Sequence, residues 1–171
     1  ARDLESIPDD GHRYELVDGT LVVTPAPSHL HQRAAFKLAV ALRASCPADL
    51  EVLIAPLEVR LDDRTSSLQP DVLVARLADL TSARLPGPPL LAVEVASRST
   101  RLVDLNLKRA RLEAAGTPSY WVVDPEQPSL TAWELAAEGH YHQVAEAVGS
   151  EPFLARLPFE VTIVPQDLVS R

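Results

Sequence analysis

Hydrophobic and polar positions along the chain follow two periods, and each change of period marks an element. Tyr14-Glu15-Leu16-Val17 and Thr20-Leu21-Val22-Val23 are β-prone runs on either side of Asp18-Gly19, a pair suited to a type I′ turn, so a hairpin is predicted. Pro25 and Pro27 end it, and Ser28 is placed to cap a helix over about 29–45. The apolar stripe of that helix holds Ala35, Leu38 and Leu42, with His31 on the same stripe. Strands are predicted at 51–60, 69–75 and 90–96, with Asp62-Asp63-Arg64 turning between the first two and Pro86-Gly87-Pro88-Pro89 leading into the third. Thr100 is placed to cap a helix over 101–115, which Gly116 and then Pro118 stop. Tyr120-Trp121-Val122-Val123 reads as a buried strand ended by Asp124-Pro125. A hairpin of 129–135 and 140–147 around Glu138-Gly139 and a strand at 159–164 complete the chain. Residues 1–12 are polar and predict a frayed end or a short helix.

A helix, then strands, then a helix and a further strand predict an α/β chain of the mixed-sheet, α+β kind. Helices should lie on the sheet faces, with an added β-hairpin. The crossover from 90–96 through 101–115 to 119–123 should be parallel and right-handed. Fifteen prolines between apolar runs suit short strands joined by stiff turns better than a helix bundle. No repeat, low-complexity tract or linker divides the 171 residues, so one domain spanning 1–171 is expected.

Composition narrows the function less than the pattern does. Apolar content of 46% and charged content of 23% are ordinary for a globular chain. A net charge of −8 argues against nonspecific coating of nucleic acid or anionic membrane, but leaves room for a locally basic site. Lone Cys46 excludes an internal disulfide and a cysteine-based zinc site, and reads as a buried or half-buried packing residue. No apolar run is long enough to span a bilayer and no signal-peptide pattern opens the chain, so no membrane partner and a cytoplasmic location are expected. The lack of any Met, initiator included, suggests a trimmed N-terminus.

Leu90-Leu91-Ala92-Val93-Glu94-Val95-Ala96 carries the strongest chemical signal. Seven residues without clean alternation read as a strand buried on both faces, with a carboxylate in its middle. Burying an unpaired carboxylate costs several kcal/mol, so Glu94 must be protonated, paired or bound to a cation. Lys108 repeats the oddity on the following helix, on the face of Leu105, Leu112 and Ala115. Its bland reading is an i,i+4 surface pair with Asp104. Asp71, after Pro70, opens the apolar run Val72-Leu73-Val74; its bland reading is a solvated strand end. Together, two carboxylates from neighbouring strands can hold a hard divalent cation such as Mg²⁺, with Mn²⁺ as a substitute. A lysine beside them can orient a water and stabilise charge on a phosphate.

The segments Tyr14-Glu15-Leu16-Val17-Asp18-Gly19, Gln69-Pro70-Asp71-Val72, Val93-Glu94-Val95-Ala96-Ser97, Ser99-Thr100, Asp104-Leu105-Asn106-Leu107-Lys108 and Tyr120-Trp121-Val122-Val123-Asp124-Pro125 occur in order. As a set they resemble the Uma-type restriction endonuclease family of the PD-(D/E)XK nuclease superfamily, over about residues 13–135. The resemblance implies a restriction-endonuclease-like core and metal-dependent cleavage of DNA. By position, Asp71 matches the Asp of the PD motif, Glu94 the second acid, and Glu15 a further acid of the family. The superfamily lysine usually lies two residues after the second acid, where this chain has Ala96; Lys108 matches the family's lysine moved to the helix. Thr20, Arg98 and Leu112 stand where the family commonly has an acid, Pro and Tyr; none of them removes the central set.

Arg98, Arg101, Lys108, Arg109 and Arg111 fall close together and read either as a DNA-facing patch or as a solvated helix face. His31 reads as a core histidine in preference to a site residue, and Trp121 and Trp133 as packing rather than base-stacking platforms. Three functions fit: a Mg²⁺-dependent DNA endonuclease, a non-cutting binding module on the same fold, and a phosphodiesterase for a small substrate. Retention of Asp71, Glu94 and Lys108 favours the first, and low basicity the second. A homodimer is expected, since two related sites cut both strands of a duplex most simply.

Overall fold

The computed structural model describes residues 12–62, 65–97 and 103–171, the side chains of 103–105 apart. Arg13–Val17 (β1) and Thr20–Thr24 (β2) form the first hairpin, and Asp18 and Gly19 both take positive φ, +48° and +79°, as a type I′ turn requires. His29–Ser45 (α1) begins where the Ser28 hydroxyl accepts from the His31 N–H, so the cap fixes His31 in the first turn. The buried residues of α1 are His31, Ala34, Leu38 and Leu42, with Ala35 at the margin of the core.

Two sheets organise the described residues. One takes β1 and β2 with Glu58–Arg60 (β4), Ser67–Leu68 (β5) and Arg84–Pro86 (β7), in the order β2-β1-β5-β4-β7. The other takes Leu50–Ile54 (β3), Val72–Arg76 (β6), Leu91–Val95 (β8), Ser119–Asp124 (β9), Ser129–Leu135 (β10) and Tyr141–Val148 (β11). Its order is β11-β10-β9-β8-β6-β3. The β8–β9 pair is parallel, as the crossover pattern predicted, and its neighbours are antiparallel. Val72, Val74, Leu91, Val93 and Val95 pack in one core cluster with α1, while Ala92, Tyr120 and Val122 share the opposite face with Val17 of β1. Period-2 alternation therefore turns Glu94 away from α1 and toward the first sheet.

Three expectations need correction, and three short elements were not expected. The run 51–60 is two strands in different sheets, because Pro56 has no N–H to continue the ladder; the chain crosses sheets there and returns at Pro70, which splits β5 from β6. The helix predicted over 101–115 is π-helical at Val103–Lys108 and α-helical at Arg109–Ala114 (α2). Its predicted cap, Thr100, lies outside the described residues, as do residues 1–11. The strand expected at 159–164 is shorter, Val161–Ile163 (β13), and pairs with Phe153–Ala155 (β12). Finally, the short elements β7, β12 and Pro165–Val169 (α3) carry too few periodic positions to declare themselves.

Candidate active site

The site lies where β1, the turn before β6, β8 and the π-helical turn meet. In β1 the period of two puts Arg13, Glu15 and Val17 on one side, and Glu15 and Val17 are buried. Glu15 is fully buried (0% exposed), and its Oε1 accepts from the Gln69 backbone N–H at 2.7 Å. That bond ties β1 to the Gln69-Pro70-Asp71 turn. Glu94 (1% exposed) projects from the middle of β8, and its Oε2 is 3.1 Å from Lys108 Nζ. Lys108 is just as buried at 1% and also lies 2.8 Å from Glu15 Oε2. The latter is an ion pair whose approach misses hydrogen-bond geometry. One ammonium thus spans two buried carboxylates.

Asp71 sits beside this trio. The β6–β8 register pairs Val72 with Val93, and one further step sets Asp71 across from Glu94. Three donors meet the Asp71 carboxylate. Arg13 NH1 lies 2.6 Å from Oδ1, and Oδ2 accepts from His31 Nε2 at 3.1 Å and the Val95 N–H at 2.8 Å. A carboxylate only accepts, so Nε2 carries the hydrogen of the histidine. His31 Nδ1 is buried without a hydrogen-bond partner among the described residues. Burial by itself would push the Asp71 carboxyl up, but the His31 hydrogen bond and the Arg13 charge outweigh it and hold it at about 2. For Arg13, burial opposes the charge, and Asp71, Glu94 and Glu15 overcome it to raise the guanidinium's pKa.

The sign of the Asp71 shift gives a test. Its folded value, about 2, lies below the ordinary 3.8, so its contribution to stability is full above pH 4 and is lost as pH falls from about 4 to about 2. Urea unfolding in EDTA should show wild type losing on the order of 2 kcal/mol over that window relative to Asp71→Asn. A constant difference between the two would refute the assignment.

The structure brings Glu15, Glu94 and Lys108 into direct contact and sets Asp71 next to them through Arg13, whose Nε is 3.8 Å from Glu15 Oε2. Sequence reasoning passed over Arg13; its signal was the i,i+2 spacing from Glu15 on a strand. His31, read as a core residue, contacts Asp71. The basic set is also corrected. Arg109 lies over the Trp133 ring with Cζ 4.9 Å from its centre, and Arg111 binds Asp62 at 2.6 Å and the Ser66 hydroxyl at 2.7 Å, with Asp18 at 3.2 Å. With Lys108 buried, these three do not form a solvated cationic face. Arg98, Arg101 and the Asp104 side chain lie outside the described residues.

The model of the Uma2 family, described as "Putative restriction endonuclease", matches residues 1–164. The chain belongs to that family. Membership in Uma2 extends the motif resemblance, read over 13–135, toward both ends and makes nuclease chemistry the general class of activity to be explained. A solved structure described as a "putative nuclease belonging to DUF820 from Anabaena variabilis ATCC 29413" superposes with a TM-score of 0.77 at 13% identity, covering 98% of this chain and 96% of that one. At that identity the likeness establishes the fold, the mixed α+β architecture expected from the pattern. Among the described residues of this Uma2 chain, no helix is long and apolar enough to cross a membrane.

Proposed function

We propose that this chain is an endonuclease that hydrolyses DNA phosphodiester bonds with a divalent cation, Mg²⁺ or Mn²⁺ in its place, held by Asp71 and Glu94. The observation that carries the reading is the burial of Glu94 in mid-strand, one register step from Asp71, with Lys108 brought onto it from the helix. A carboxylate placed so expensively and next to a second acid has chemistry to perform.

The donor set fits a hard cation. Both residues offer carboxylate oxygens, and among the described residues no three of His, Cys, Asp and Glu converge to hold a metal by themselves. Two carboxylates completed by water and substrate oxygens suit Mg²⁺, which dehydrates reluctantly and is commonly held that way. When bound, the cation would supply charge stabilisation and acidify a coordinated water. The residues of the chain do the rest. Lys108, fixed between Glu15 and Glu94, acts as a donor that orients the attacking water and stabilises charge on a phosphate oxygen. Glu15 holds both Lys108 and the Gln69 N–H, and so keeps the helix lysine in register with the turn that carries Asp71. Two copies in a homodimer would cut the two strands of a duplex, and the expected location is the cytoplasm.

Engagement of Arg109 and Arg111 within the protein favours a second reading, a non-cutting module on the same fold. Incubation with plasmid, linear duplex, single-stranded DNA and RNA in Mg²⁺, Mn²⁺ or EDTA separates the two. Cation-dependent cutting of DNA supports the endonuclease. A protein that cuts no nucleic acid and gains no melting temperature from Mn²⁺ is the binding module.

A further inference from the structure

We infer that Arg13 competes with the divalent cation for Asp71 and thereby sets the metal affinity of the site. The inference rests on the proposed role of Asp71 and Glu94 as metal ligands. Among the described residues, three carboxylates, Glu15, Asp71 and Glu94, are in contact with two permanently charged cations, Arg13 and Lys108. Two positive groups leave little net negative charge to attract a dication, so each is an electrostatic competitor for it. Lys108 contacts Glu15 and Glu94, and Arg13 contacts Asp71.

Geometry singles out the same residue. Asp71 Oδ2 already accepts from His31 and from the Val95 backbone N–H, so Oδ1 is the oxygen with more room for a further partner. Arg13 NH1 lies on that oxygen at 2.6 Å. The Val95 donor is fixed in the backbone of β8 and His31 is pinned at the capped start of α1. Arg13 is 19% exposed, its hydrogen bond to the Gln69 carbonyl is a longer one at 3.2 Å, and its long side chain has a route outward. A cation arriving at Oδ1 would therefore displace the guanidinium before it displaced either other donor. Until then Arg13 holds the Asp71 carboxylate in its present orientation.

Calorimetric titration of Mn²⁺ into EDTA-stripped wild type, Arg13→Gln and Arg13→Lys tests this without reading activity. Arg13→Gln should bind Mn²⁺ at least about tenfold more tightly than wild type, and Arg13→Lys, which keeps the charge, within about threefold of it. In wild type, the Arg13 Nε–H signal, assigned by its loss in Arg13→Lys, should move during a Mg²⁺ titration. Its midpoint should match the binding constant. That arm decides if Arg13→Gln does not fold. Wild-type binding with an unshifted Arg13 signal, or Arg13→Gln binding no tighter than wild type, overturns the competition but leaves the metal site standing. Folded proteins that all ignore both cations overturn the metal reading and this inference together.

Discussion

Lys108→Met is expected to lower the unfolding free energy by about 3–5 kcal/mol, the range found when one partner of a buried ion pair is removed. Lys108 lies 2.8 Å from Glu15 and 3.1 Å from Glu94, and all three side chains are essentially inaccessible to water. Methionine fills a similar volume, so the loss is electrostatic rather than a cavity. Two buried carboxylates would face each other across a thioether, with Arg13 at a longer 3.8 Å from Glu15. Against a typical domain stability of about 5–15 kcal/mol this is a large share. Lys108→Met combined with Glu94→Gln should recover at least half of it, because the second change removes the excess charge that the first exposes. Urea midpoints at constant slope give both numbers. A single variant that loses less than about 1 kcal/mol would mean that water reaches the cluster and the ion pair is not a buried one.

Two residues of this site were legible on their own because each breaks a local rule, whereas Asp71 and Glu15 stood out through the set of motifs. Glu94 interrupts an apolar strand and Lys108 an apolar helix stripe, and violations of pattern are visible one residue at a time. Asp18-Gly19 and Ser28 were legible because turn and cap chemistry is local too. Arg13 obeys its rule. A charged residue at the first position of a strand is unremarkable, and its partner Asp71 is 58 positions away. His31 failed to declare itself for a similar reason, since nothing in a helix stripe says which end of a sheet it will reach. The sheet exchange at Pro56 and Pro70 was hidden because a β-prone run has the same period whichever sheet it joins. The π-helical turn at Val103–Lys108 escaped as well, since a widened turn leaves no composition of its own. As for the arginines, their neighbours decide their role: Arg111 is claimed by Asp62, which lies far away in sequence.

The two sheet crossings have a consequence for the chemistry. Leaving the second sheet at Pro56 and re-entering at Pro70 lets one stretch of chain pair β5 with β1 and then deliver Asp71 to the start of β6. The Glu15–Gln69 hydrogen bond closes that circuit at 2.7 Å. Thus the first sheet holds the site together: it contributes Arg13 and Glu15 and fixes the turn that presents Asp71, while the second sheet contributes Glu94. Positioning of this kind, on two strands and a turn tied to them by a hydrogen bond, is what a nuclease site requires if its carboxylates are to hold one geometry.

Glu94→Gln is expected to reduce cation-dependent DNA cleavage by at least about a thousandfold, close to 4 kcal/mol of barrier, while changing stability by less than about 1 kcal/mol. The asymmetry with Lys108→Met comes from what each change leaves behind. Without the Glu94 charge, Lys108 keeps Glu15 at 2.8 Å, and the glutamine carbonyl still accepts from its ammonium, so no buried charge is orphaned. Trading a buried ionic contact for a neutral one of the same shape costs little. Catalysis has no such substitute. A neutral amide is a poor ligand for a hard dication and supplies none of the negative charge that would draw it beside Asp71. Single-turnover cleavage at saturating Mg²⁺, beside urea unfolding of the same preparations, measures both effects. Cleavage within tenfold of wild type would remove Glu94 from the metal site, and a stability loss above about 3 kcal/mol would make it a structural anchor instead.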